Sequence, residues 1–121
     1  MMARWIFRIA GIYGLLVLVP LYFMENRLDP PPTHPEQYYG FLGVAVAWQL
    51  AYLVISTDPA RYRLLMLPGI VSKVAWAGAL AVLHAGGRVA ADAFWIGQAD
   101  WLLAALFAYA FWRSRPAAAA A

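Results

Sequence analysis

LLMLPGIVSKVAWAGALAVLH, residues 64–84, carries one charged side chain, Lys73, in a run long enough to cross a bilayer. About 20 apolar residues, rising 1.5 Å each as a helix, cover roughly 30 Å of hydrocarbon. Three further runs of the same kind occupy residues 5–24, 36–56 and 93–112. Together they predict an all-α, integral membrane four-helix bundle with short loops. Residues 1–116 form a single domain in this reading, and 117–121, an alanine run, form a tail without chemistry. The first run begins like a signal peptide, with Arg4 and Arg8 ahead of the apolar core. No small-x-small cleavage site precedes Glu25, so it reads as a retained helix.

Composition leads to the same class. Of 121 residues, 64% are hydrophobic and 12% are charged. A soluble domain carries about 25% charged residues, so this chain has too little polar surface to cover itself in water. The net charge of +3 does not indicate nucleic acid, because the basic residues flank the apolar runs and make no continuous face. With no cysteine there is no disulfide, thiolate metal site or covalent haem attachment. No phosphate loop or catalytic-triad spacing is present, and no cofactor is called for.

The basic residues set the expected orientation. Arg4, Arg8, Arg61, Arg63, Arg113 and Arg115 fall on one side, while Arg27 and Arg88 fall on the other with Glu25, Asp29, Glu36 and Asp92. By the positive-inside rule both termini are cytoplasmic. Usage rich in Ala and Arg with one Lys is compatible with a GC-rich bacterium, and the expected location is the bacterial inner membrane.

Loop punctuation predicts the helix ends. The proline-rich segment 29–35 reads as a stiff outer connection, closed by a capping box from Thr33 to Glu36. Asp58 ahead of Pro59 reads as an N-cap, which starts the third helix near Pro59 with a bend at Pro68-Gly69. Gly86-Gly87 ends that helix, and Asp92 caps the fourth.

Charges inside apolar runs need an explanation, since each costs at least about 2.5–3.5 kcal/mol at midspan. Lys73 shares a helix face with Gly69, Ala77, Leu80 and His84; Asp100 shares one with Ala93, Gly97, Ala104 and Ala108. Faces of small residues let membrane helices approach closely. Two arrangements satisfy the chemistry: Lys73 meets Asp100 across helices three and four, or it snorkels to the interface along its own stem. Gln49, on a stripe with Tyr38, Ala45, Tyr52 and Ser56, is the next polar group. It serves either as an interhelical hydrogen bond or as a ligand-orienting amide, with Tyr13, Trp48, Trp76 and Trp101 as aromatic walls. Trp5, Tyr22, Phe23, Tyr38, Tyr39, Trp95 and Trp112 sit near span ends and read as interfacial anchors. His34 and His84 have carboxylates nearby but no compact ligand spacing, so no metal is assigned.

His34-Pro35-Glu36-Gln37-Tyr38-Tyr39-Gly40-Phe41, Ala47-Trp48-Gln49, Asp58-Pro59-Ala60-Arg61-Tyr62-Arg63, Lys73 and Asp100 carry a family resemblance. They resemble a group of small uncharacterised bacterial membrane proteins similar to the DoxX-like four-helix proteins. In that pattern an acidic residue precedes the third-helix lysine; here the position is Ser72. The resemblance implies a membrane bundle, in a group sometimes associated with redox or sulfur metabolism, and supplies no catalytic residues.

Three functions fit these residues. The first is an accessory or self-associating bundle without catalysis of its own, surrounded by membrane lipids and joined to a membrane-protein partner or a second copy. The second is binding or transport of a hydrophobic or anionic small molecule, or a proton, through Lys73, Asp100 and Gln49. The third is a lipid- or quinone-directed enzyme using Lys73 as a base. An elongated apolar cavity ending at Lys73 separates the last two from the first.

Overall fold

A computed structural model describes residues 1–115; Pro116 and the alanine tail lie outside the described residues. The chain forms four α-helices and, among the described residues, no strand: α1 Met2–Leu18, α2 Pro35–Thr57, α3 Met66–Ala85 and α4 Ala91–Arg113. With the 3-10 turns Val19–Phe23 and Arg63–Leu65 that extend α1 and α3, all four are long and apolar enough to cross a membrane.

Prolines and glycines decide where these helices stop, in ways that differ in part from the sequence expectation. The first run is not α-helical to its end. Pro20 lacks an N–H and its ring crowds the carbonyl four residues back, so the chain tightens into the 3-10 turn after Leu18. Pro68 does not bend α3, because the α-helix begins at Met66 and leaves Pro68 in the first turn, where a missing N–H breaks no bond. Asp58 caps a turn instead of α3. Its carboxylate accepts from the Arg61 N–H at 3.3 Å and its carbonyl from Tyr62 at 3.1 Å.

The capping box also fails to form. His34 holds the N-cap position of α2 without a side-chain bond, one residue after Thr33, and Glu36 turns to the His34 ring at 3.3 Å. Asp92 lies inside the first turn of α4, since the helix starts earlier than expected, with Ala90 at the cap position. Its carboxylate accepts from the Ala93 N–H at 2.7 Å. Gly86-Gly87 ends α3 as expected. Gly87 takes φ 71°, and Arg88 and Gly87 donate to the Leu83 and His84 carbonyls at 2.8 and 3.0 Å, closing a Schellman motif.

The helices pack as two hairpins, α1 with α2 and α3 with α4, while α2 and α3 scarcely touch. In the first, buried Gly11 and Gly14 bring α1 against Gln49 and Leu53 of α2. In the second, the Leu80 side chain fills the space left by Gly97.

The two hairpins join at the end that carries both termini. Phe7 and Phe107 stack there with centroids 4.3 Å apart, Tyr52 meets Phe107 edge-on at 4.9 Å, and Ile55, Met66 and Ala110 close the cluster. Two arginines serve helix C-termini at this end, where carbonyls lack partners and carry partial negative charge. Arg63 Nε donates to the Phe111 carbonyl at 2.8 Å with its guanidinium 3.6 Å above the Phe111 ring, and Arg4 donates to the Thr57 carbonyl at 3.4 Å.

Each hairpin is closed separately at the distal end. Tyr39 donates to Glu25 at 2.7 Å and Tyr38 to the Leu21 carbonyl at 2.5 Å, tying α2 to the turns after α1. His84 stacks on Phe94 at 4.3 Å across α3 and α4. Between the hairpins on this side there is a space.

Candidate functional site: a cavity between the hairpins

That space is a cavity of about 290 Å³ lined by all four helices. Tyr52 forms its floor, fully buried above the Phe7–Phe107 cluster. Its hydroxyl lies 3.0 Å from Ser72 Oγ, which donates to the Gly69 carbonyl at 2.7 Å. With the Ser72 proton committed to Gly69, Tyr52 is the donor to Ser72. Phe41 of α2 and Trp76 of α3 stack with centroids 5.1 Å apart, bridging the otherwise sparse α2–α3 side. Val17, Val44, Ala45, Ile96 and Ala99 supply apolar wall.

Among the described residues, the only charges on that wall are Lys73 and Asp100. Lys73 Nζ lies 3.6 Å from Asp100 Oδ1, with side chains 13% and 18% exposed, and 5.6 Å from the Tyr52 ring centre. Lys73 therefore does not snorkel away. The small residues around the pair explain the approach: Gly69 and Ala77 on α3, Gly97 and Ala104 on α4 are buried. The expected α4 stripe holds only in its centre, because Ala93 and Ala108 are exposed and the buried face turns to Phe107 and Ala110. That turn follows from α4 meeting α1 as well as α3 toward the terminal end.

Gln49 is buried to 4% exposure. Its Nε2 donates to the Ala45 carbonyl at 3.0 Å, and among the described residues its buried Oε1 has no partner. The amide lies over Gly14, where an added Cβ would overlap it. An unpaired buried acceptor costs about 1–3 kcal/mol, and the bond the amide does make runs within α2, not between helices.

Six of the seven residues singled out in the sequence line this cavity: Lys73, Asp100, Gln49, Tyr13, Trp48 and Trp76. Trp101 does not. One residue beyond Asp100 is about 100° around the helix, and the Trp101 indole donates outside to Gln98 at 2.7 Å. Gly14, Phe41, Tyr52 and Ser72 belong to the site and were not singled out for it. The Ala10-Gly11-x-x-Gly14 spacing on α1 is the signal that would have located the close approach to Gln49. The two histidines are occupied elsewhere, His34 with Glu36 and His84 with the Val89 carbonyl at 3.0 Å. Among the described residues no three His, Asp or Glu side chains gather as a metal site.

Comparisons with protein-family models, curated proteins and solved structures find no match to this chain.

Proposed function

We propose that this chain is an integral membrane protein of the bacterial inner membrane, with both termini cytoplasmic, that binds a lipophilic small molecule carrying a polar head. The observation that carries this reading is the cavity with apolar walls and a Lys73–Asp100 ion pair on one side. Small-molecule sites combine a largely apolar lining with a few convergent polar groups, in volumes upward of about 300 Å³. This cavity is close to that lower bound. Tyr13, Val44 and Ile96 reach both the cavity and the outer surface, being 54%, 63% and 74% exposed, which supports entry from the side through lipid. Lys73 is paired with Asp100, which favours binding over catalysis.

A diazirine-bearing fatty alcohol in phosphatidylcholine nanodiscs tests this. Photolabelling is expected on peptides holding Trp48 and Trp76, and Ala45→Phe, which fills the cavity, should abolish it without lowering the melting temperature. Labelling confined to outward positions such as Leu16, Val71 and Leu102, and indifferent to Ala45→Phe, would overturn the reading.

A second reading, self-association or docking to a membrane partner, is supported by Gly43 and Ala47, which lie exposed on α2. Gly43→Leu should then shift the oligomer distribution on native mass analysis, and an unchanged monomer would remove it.

A further inference from the structure

Within that binding reading, we infer that the occupant is an uncharged amphiphile with a hydroxyl head, of the fatty-alcohol or monoacylglycerol type, and not an ionised fatty acid or an anionic phospholipid. The Lys73–Asp100 separation of 3.6 Å exceeds the usual charge-assisted bond of about 2.7–2.9 Å. Among the described residues neither side chain makes another hydrogen bond. An ammonium has three donors and a carboxylate accepts at several positions, so both groups have unused capacity facing the cavity. The Tyr52 and Ser72 protons run in series to the Gly69 carbonyl, so neither hydroxyl has a donor left for a ligand. Lys73 and Asp100, the charged groups on this wall, are assigned as the head-binding groups.

Their charges sum to zero. A ligand bringing a net charge into this low-dielectric wall would leave that charge without a counter-ion, or would take Lys73 and strand Asp100. A hydroxyl avoids both outcomes, since it accepts from Lys73 and donates to Asp100 with the same oxygen, leaving the pair intact. The remaining wall, including Phe41, Trp48 and Trp76, suits an alkyl chain.

The test uses the full chain in phosphatidylcholine nanodiscs and four probes of equal chain length: dodecanol, monododecanoylglycerol, dodecanoate held ionised, and dodecane. Binding is read by tryptophan fluorescence and by shift in melting temperature. Dodecanol and monododecanoylglycerol should bind roughly tenfold or more tighter than the other two, a difference set by head-group pairing. The preference should vanish in Lys73→Met/Asp100→Asn, a double change that removes both charges together and so preserves folding. Dodecanoate binding as well as dodecanol would overturn the hydroxyl class while leaving the binding site standing. Absence of saturable binding by any probe would overturn both. An unchanged preference in the double variant would overturn the assignment to Lys73 and Asp100.

Discussion

Between Lys73 and Asp100 the attraction acts across 3.6 Å, with both side chains mostly shielded at 13% and 18% exposure. Such a pair lies between the surface limit, about 0–1 kcal/mol, and the fully buried limit, where loss of one partner costs about 3–5 kcal/mol. Lys73→Met or Asp100→Asn alone should therefore destabilise by on the order of 1–3 kcal/mol. The double change should cost less than the sum, and less than either single change if the stranded charge dominates. A thermal double-mutant cycle measures this, and strictly additive effects would mean that the two groups do not act together. Gly14→Ala is the second change decided at this scale. Its methyl would overlap the Gln49 amide, so the melting temperature should fall and the α1–α2 hairpin should open, read as faster exchange at α1 amides. Helical spacing made contact between Lys73 and Asp100 readable in advance. It could not separate that contact from snorkelling, because the choice depends on where α3 starts and how close α4 comes.

At the scale of elements, chain ends are set by which backbone groups can find partners. Among the described residues, Gly87, at φ 71°, is the one whose backbone conformation calls for glycine, and it positions the Arg88 and Gly87 bonds that finish α3. Gly87→Ala should cost about 1 kcal/mol, seen as a lower melting temperature with an unchanged helical signal. The end of α3 was legible because Gly-Gly after an apolar run has few other uses. The helix starts were less so. Thr33, Asp58 and Asp92 all have side chains that cap helices, yet Thr33 and Asp92 fall one or two residues from the actual caps and Asp58 falls well ahead of Leu65, the N-cap of α3, so that Asp58 bonds within a turn and Asp92 to its neighbour's N–H. Capping chemistry is local, and it does not by itself fix where a helix starts: α3 begins at Met66 and not near Pro59.

Across the whole molecule, two hairpins converge at the terminal end and part at the distal end, so one bundle contains both a packed core and a cavity. Outward residues such as Leu16, Val82 and Leu102 are 72%, 73% and 64% exposed, an apolar outer surface that the proposed membrane location accounts for. The proposed orientation follows from arginines gathered at the terminal end, and the absence of cysteine makes it directly measurable. In intact cells a membrane-impermeant maleimide should label Thr33→Cys, whereas Ala60→Cys should react only after permeabilisation. The reverse pattern would invert the topology.

Length and hydrophobicity by themselves determined four bilayer-length helices, because a run of apolar residues has no alternative way to satisfy its backbone away from water. They also determined which polar residues must turn inward, since each carries a solvation cost that the sequence states outright. Whether the helices close on one another or leave a space depends on the summed fit of side chains across all four. Phe7, Tyr52 and Phe107 fill one end, while Phe41, Trp48 and Trp76 stand around the other without filling it. That difference arises from contacts between residues distant in the chain, and only the tertiary structure decided it.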